Sequence, residues 1–460
     1  MHWEEHLAVP LHDHQREAVE FLEGHPRAIL ADDVGLGKTF SALGYLALLR
    51  ERGELVPERG HALWITSANL IEQTEREARR LLPGFDVFTQ NDPLYSNQTP
   101  AKRLRMEALY PNGPCLVIVS HEHASARASA LHYRFGKPAV VVIDEAMALK
   151  NHLGKRHTKI RELAGSVPRV LAMTATPFEN DLMETFALLR VIHVEGLKDN
   201  GWFGRFIEWS EAIDIPHLGL YIPEKPVGVR LDTLPELRGY LSRFMLRRMA
   251  GDVGLPLPVH VGERHQWVPI SAAQEEAYQA GAKIGGGVGW VKQTQAGRGV
   301  GEESVLVDEF IRQVRGDFHG EKVIAYCETL DVLSSLAARL DESGIGHRVI
   351  EGVTRPNARA KALADFRDDP SVHVLIGSRV LELGLNIQHC RNLISLDCSD
   401  NPQREAQREG RIRRVGSPHA TYRHLTLMPD TPTARKKVQS LQTKAANADL
   451  VLGAPAPSFN

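Results

Sequence analysis

A glycine turn that runs straight into Lys-Thr, ADDVGLGKT at positions 31–39, restricts this chain more than any other segment, because such a turn needs a strand before it and a helix after it. Gly35 and Gly37 let the main chain come close to an anion. The backbone N–H groups of the turn, and of a helix starting near Lys38, would then point at phosphate oxygens. Lys38 adds a point charge, and the Thr39 hydroxyl suits a Mg²⁺ ion that bridges terminal phosphates. Asp32 stands where the strict phosphate-loop pattern carries glycine. The expected binding set for a nucleoside triphosphate is Asp32, Asp33, Val34, Gly35, Leu36, Gly37, Lys38 and Thr39.

A second segment points to the same chemistry. VVVI at 140–143 reads as a buried parallel strand and ends in Asp144-Glu145. Ligands of open α/β sheets bind outside the carboxyl ends of strands, so Asp144 is expected to hold Mg²⁺ and Glu145 to orient or deprotonate the attacking water.

Bulk properties narrow the class. A chain of 460 residues has room for two or three domains, and 43% hydrophobic with 24% charged residues is the balance of a globular protein. No apolar run approaches a membrane span, and MHWEEHLAVP lacks the apolar stretch of a signal peptide, so a cytoplasmic location is expected. Cys115, Cys327, Cys390 and Cys398 lack metal-ligand spacing and read as buried reduced thiols. His121-Glu122-His123 has no third ligand in register, so zinc is not expected there. A net charge of −2 excludes a globally basic nucleic-acid binder and leaves local stripes: Arg76, Arg79 and Arg80; Lys150, Lys155, Arg156, Lys159 and Arg161; and, densest, Arg404, Arg408, Arg411, Arg413 and Arg414.

Short apolar strands at 28–30, 62–66, 116–120, 140–143 and 169–173 alternate with helical patterns, and the rhythm returns at 322–326, 347–350, 372–376, 392–396 and 422–426, with helices at 330–340 and 355–366. The fold class is α/β, with two parallel lobes in tandem and a helical insertion between them. The expected division is a first lobe at 1–190, an insertion and linker at 191–318, a second lobe at 319–428, and a helix with a loose tail at 429–460. In the insertion, Trp202, Phe203, Phe206 and Trp209 recur at helical spacing and are expected to pack on the first lobe, while the glycine-rich 281–301 reads as a mobile loop. The second lobe ends in QREGRIRRVGS at 407–417; Arg411 and Arg414, three apart on a helix, would share a face, and such arginines can stabilise charge on a transferred phosphoryl group.

Taken in order, these segments resemble the Swi/Snf-type ATPases of helicase superfamily two, over positions 11–427. LHDHQREAVEFL is similar to that family's adenine-reading segment, with Gln15 the residue that would bond the base. ADDVGLGKT resembles ADEMGLGKT, which makes Asp32 ordinary; IDEAMALKN resembles IDEAHRLKN, with Met147 in place of histidine. TATPFENDLMETFALL resembles the segment that couples nucleotide to track, at Thr174, Ala175 and Thr176. FMLRRMAGDVGLPLP resembles a block that separates the family from RNA-directed relatives, and 377–416 resembles the STRAGGLGxNL and QxxxRxxRxGQ blocks, with Leu381-Glu382 replacing two small residues.

The resemblance implies two RecA-like lobes and a DNA-dependent ATPase that moves along double-stranded DNA on Mg-ATP, with Lys38, Asp144, Glu145, Gln407, Arg411 and Arg414 catalytic. Backbone tracking needs phosphate contacts, for which Thr66, Ser67, Ser120, Ser378 and Arg379 are suited. A strand-separating or RNA-directed helicase, a non-hydrolysing adaptor gated by ATP, and a nuclease subunit acting through another chain remain alternatives. A protein partner would set the pathway.

Overall fold

The computed structural model describes residues 2–56, 60–91, 113–127, 137–178, 181–193, 197, 200–215, 220–299, 303–382, 387–399 and 401–453. Residues 179–180 of the coupling block, 300–301 of the glycine-rich stretch and the tail from 454 lie outside them. The chain divides into two compact units, the first from residues 1–254 with 447–454, the second from 255–446.

Unit 1 is built on a seven-stranded sheet in the order β11-β1-β6-β5-β2-β4-β3. Its strands are β1 (Arg27–Leu30), β2 (Ala62–Thr66), β3 (Asp86–Thr89), β4 (Cys115–Ser120), β5 (Val140–Ile143), β6 (Arg169–Met173) and β11 (Met245–Leu246), and every pairing is parallel. Between β6 and β11 lie β7 (Ile207–Trp209) with β10 (Pro226–Val229), and β8 (Ile213–Ile215) with β9 (Leu220–Ile222), two antiparallel pairs. The central strands β6, β5 and β2 are apolar between their ends, where Arg169 and Thr66 lie, because both faces are covered. Side chains alternate between faces. Val140 and Val142 join the core under α1 (Asp13–Gly24), α2 (Lys38–Glu51) and α3 (Ile71–Leu81), while Val141 and Ile143 join the core under α4 (Lys155–Gly165) and α5 (Leu182–Val191). The second core also takes in α6 (Asn200–Gly204) and α7 (Leu234–Leu241): Phe203 and Phe206 are fully buried, and Phe203 meets Phe186 at 5.2 Å between ring centroids. Phe203 and Phe206, with Trp202 partly buried beside them, therefore pack on the first sheet as expected, whereas Trp209 falls on β7 and is exposed, because the helical spacing ends before it.

The pairing of α4 with α5 is expected to weaken in acid. His157, 1% exposed, donates from Nε2 to Ala187 O at 3.1 Å, and burial, together with Arg161 and Arg190, pushes its imidazole down to about 4. A base with a lowered folded-state pKa leaves stability intact above its unfolded value near 6.5 and costs stability as pH falls from there towards 4. At pH 5 the expected loss from this one group is about 2 kcal/mol. Denaturant melts of wild type and His157→Met at pH 7 and pH 5 measure it; equal pH sensitivity in the two proteins would contradict the assignment.

Unit 2 repeats the design with β12 (Val259–His260), β13 (His265–Val268), β14 (Val323–Cys327), β15 (His347–Ile350), β16 (Val374–Gly377), β17 (Asn392–Leu396) and β18 (Thr421–Pro429), ordered β12-β18-β17-β14-β16-β15 with β13 also on β18, again all parallel. One face packs on α10 (Val305–Arg315) and α11 (Leu330–Glu342), the other on α12 (Pro356–Asp368) and on Ile387 and Ile412. Two sheets of parallel strands with helices on both faces are two RecA-like lobes in tandem. The four cysteines are buried. Among the described residues no helix is long and apolar enough to cross a membrane.

Three expectations change. The segment between the lobes is not simply helical: it supplies β11 to the first sheet and both β12 and β13 to the second. The glycine-rich stretch is a helical hairpin, α8 (Ala272–Ile284) and α9 (Gly286–Arg298), and not a loop. Gly281 and Gly289 serve close packing, since a Cβ on Gly289 would stand 2.8 Å from Gly281 O. Gln274 closes the hairpin by donating to Ala296 O and Gly297 O at 3.0 and 2.9 Å. The C-terminal helix α14 (Pro432–Leu452) exceeds the expected stretch, and residues 447–453 of it pack with unit 1, where Val451 is buried and Arg238 donates to Leu450 O.

Candidate nucleotide site

The loop after β1 is shaped by two glycines in the left-handed region, Gly35 (φ 90°) and Gly37 (φ 77°). A side chain at Gly37 would also collide with Gln15, whose Nε2 lies 2.5 Å from where its Cβ would be. Gly37 is the capping residue just before α2, and no side chain caps that helix, so its first N–H groups face the loop mouth. Lys38 turns back across the loop and donates from Nζ to Asp32 O at 2.7 Å and to Asp33 O at 3.2 Å. Val34 N is held by Asp33 Oδ1 at 2.8 Å, and Leu36 O accepts from His14 Nε2 at 2.8 Å and from Gln15 Nε2 at 3.2 Å. The loop is thus pre-shaped by its own carbonyls and by α1. Gln15, through Oε1, also caps α1 by accepting from His12 N at 3.0 Å.

Asp144 and Glu145 close β5 opposite this loop. Asp144 takes Thr66 Oγ1 on Oδ2 at 3.2 Å and Glu145 N on Oδ1 at 3.0 Å. Burial and the neighbouring Glu145 charge push the Asp144 carboxyl upward, whereas burial pushes the Lys38 ammonium downward against the pull of Glu145, Asp32, Asp33 and Asp144. One cation and two carboxylates in a poorly hydrated recess fit a ligand that brings both negative phosphates and a divalent cation. Glu145 itself sits at φ 49°, ψ 50°, a left-handed backbone that is unusual for a residue with a side chain. Met147 turns into the core beside Ile143 and Ala146.

The coupling turn is anchored to the same place. Thr174 N donates to Leu30 O at 3.1 Å, which fixes the end of β6 to the last residue before the phosphate loop. Thr174 Oγ1 then accepts from Thr176 N at 3.2 Å and donates to Thr176 O at 3.1 Å, and Arg247 donates to Ala175 O at 3.3 Å.

Two residues of this region carry roles that sequence reasoning missed. The Asp32 carboxylate, fully buried, is clamped by Arg248 at 3.1 and 2.6 Å, and Arg248 also bonds His14 O and Glu17. Asp32 therefore anchors the loop to β11 and α1 through its side chain and offers Lys38 only its carbonyl. The signal was present in the Arg-Arg of the FMLRRM block, but its partner is 216 residues away.

In unit 2, α13 (Pro402–Glu409) carries Gln407, and Arg411 and Arg414 follow it. The expectation that these arginines share a helix face is corrected: the helix ends at Glu409, and after Gly410 the chain turns to bury Ile412 in the unit 2 core. They are aligned instead by parallel backbonding, Arg411 Nε to Gln407 O at 3.3 Å and Arg414 Nε to Gly410 O at 2.9 Å. The dense basic stripe is also not one solvated face. Arg408 is 1% exposed, bonds Glu328, reaches Glu405 at 3.1 Å and lies over the Tyr326 ring at 5.1 Å. In the other stripes Arg79 pairs with Glu75, Lys150 with Glu184, Arg156 with Glu122 and Lys159 with Glu162.

Of the residues suited to phosphate contacts, Thr66 and Ser120 are buried, the first donating to Asp144 and the second accepting from His123 N at 3.0 Å. Ser67 and Ser378 are half-buried and Arg379 is exposed.

Comparison with known proteins adds to this geometry. The family model described as SNF2-related domain matches residues 14–314, and the helicase conserved C-terminal domain matches residues 305–416. Similar proteins include the ATP-dependent DNA helicase DDM1 of Arabidopsis thaliana, 25% identical over 84% of this chain and 54% of its own length. The Chromodomain-helicase-DNA-binding protein 1-like of Mus musculus is 24% identical over 89% and 46% of the two chains, and the DNA repair and recombination protein RAD54-like of Gallus gallus 23% over 95% and 67%. The chain spans about half the length of the first two. Among solved structures, a Sulfolobus solfataricus SWI2/SNF2 ATPase core in complex with dsDNA aligns over 98% of this chain and 94% of its own, at 17% identity and a TM-score of 0.44.

Proposed function

Because the chain belongs to the SNF2-related family, whose domain model covers well over half of it, we propose that it is a DNA-dependent ATPase that moves along double-stranded DNA using Mg-ATP. The observation that carries this reading is the convergence of Lys38, Asp144 and Glu145 on one glycine loop at the carboxyl ends of the unit 1 strands, with the Thr174–Thr176 turn tied to the same loop through Leu30. Each residue then has a task. The turn around Gly35 and Gly37 and the start of α2 bind the phosphates, Lys38 exchanges its carbonyl partners for them, and Gln15 is positioned to read the base. Thr39 and Asp144 would hold Mg²⁺, which supplies charge neutralisation between the terminal phosphates. Glu145 accepts a proton from the attacking water, and Thr66 keeps Asp144 turned towards the loop. Gln407, Arg411 and Arg414 supply donors for the transferred phosphoryl group. Duplex DNA is bound through its phosphates, by Ser67, Ser378 and Arg379, so binding is insensitive to sequence and weakens with salt.

ATP turnover measured with duplex DNA, single-stranded DNA and RNA tests the reading. Duplex DNA is expected to stimulate most; equal turnover with and without every nucleic acid rejects it, and stronger stimulation by single strands or RNA replaces it with a strand-separating or RNA-directed helicase. Arg411→Ala and Arg414→Ala are each expected to lower DNA-stimulated kcat by about 100-fold or more while ATP still binds. Unchanged kcat in both variants would remove these two from the catalytic set.

A further inference from the structure

Past β11 and still within unit 1, the chain continues as an extended pair of arginines. Its backbone is laid along the start of the phosphate loop: Ala31 N donates to Leu246 O at 2.7 Å and Asp33 N to Arg248 O at 2.9 Å. Neighbouring side chains on an extended segment point to opposite sides. Arg248 takes the loop side and clamps Asp32. Arg247 takes the other side, where Nη1 donates to Ala175 O at 3.3 Å, Nη2 reaches Met249 Sδ at 3.5 Å, and the buried Nε has no hydrogen-bond partner. The charges of Asp33 on the loop and of Asp449 on the last turns of α14 act on the same guanidinium, which burial holds below its ordinary value.

A half-buried guanidinium whose enclosed Nε goes unbonded is a costly way to fill space. Methionine or leucine would pack there without an unmet donor. What the arginine adds is a link between three segments of unit 1: the loop, through the β11 backbone and the Asp33 charge; the Thr174–Thr176 turn, through the Ala175 carbonyl; and α14, through Asp449.

We propose that Arg247 is a positioning residue that carries the state of the phosphate loop to the Thr174–Thr176 turn, so that DNA-stimulated turnover depends on it and ATP affinity does not. This rests on the ATPase reading above and names a residue for its coupling step. A shift of the loop on nucleotide binding moves the end of β11, and the donor on Ala175 O moves with it.

Steady-state ATP hydrolysis of wild type, Arg247→Met and Arg247→Lys, with saturating duplex DNA, tests it. Methionine keeps the volume and removes the donors; lysine keeps the charge and one donor towards Ala175 O. Arg247→Met is expected to lower DNA-stimulated kcat about ten-fold, with KM for ATP within about two-fold of wild type. Arg247→Lys is expected to return kcat to within about three-fold of wild type. A fall in kcat together with a rise in KM and a lowered melting temperature would show packing alone and overturn the proposal, as would a lysine variant no better than methionine. Wild type that duplex DNA fails to stimulate defeats the ATPase reading itself and this inference with it, whereas stimulated wild type with an equally stimulated Arg247→Met defeats only the inference.

Discussion

Glu145→Gln is expected to reduce ATP turnover by a factor of about 10² to 10⁴ while leaving ATP binding in place. The amide keeps the size of the side chain and removes the only function the site needs from it, acceptance of a proton. Folding should survive the change, because Glu145 organises the site through its backbone N–H to Asp144 Oδ1, which glutamine retains. Two readouts are needed. Hydrolysis is followed by phosphate release and binding by displacement of a fluorescent nucleotide; a variant that keeps turnover within ten-fold of wild type would show that water activation lies with another group. Loss of binding instead of turnover would move Glu145 from the chemistry to the architecture of the loop.

Arg248→Ala is expected to be the most damaging single change to unit 1. The substitution leaves the Asp32 carboxylate buried without its cation and opens His14 O as an unmet acceptor. Breaking a buried pair from one side costs about 3 to 5 kcal/mol, far more than the pair itself contributes. For a unit of this size that corresponds to a fall of roughly 10 °C in melting temperature. The double variant Asp32→Asn with Arg248→Met, which removes both charges, should recover more than half of the loss. Thermal melts of the three proteins decide the matter: a small effect of Arg248→Ala, or no recovery in the double variant, would mean that water or another cation already reaches Asp32.

The sequence made the sheets legible where strands are long and apolar. Val140–Ile143 lies where the run of β-branched residues puts it, since a strand covered on both faces favours apolar side chains, and Asn392–Leu396 is found in place as well although it buries Asn392 and Ser395. Met245–Leu246 and Val259–His260 are too short for any periodicity and are strands only because a neighbour pairs with them. The glycine-rich hairpin was obscured for the opposite reason: glycine is a poor helix former on its own, and only the contact between Gly281 and Gly289 makes its small size an advantage. The acidic pair and the lysine loop could be read as chemistry from local pattern alone. The Arg248 clamp on Asp32 and the burial of Arg408 could not, because charge is counted as solvated until a partner distant in the chain claims it.

The left-handed backbone at Glu145 is a standing cost of about 1 kcal/mol or more, one that glycine would not incur. A chain selected only for sturdiness would put glycine there and gain by it. The carboxylate stays on a bent pedestal at the tip of β5, and what keeps the pedestal bent is the work done at its summit. Heat resistance and turnover are therefore opposed at this one position, and any effort to harden the protein will meet that conflict first at residue 145.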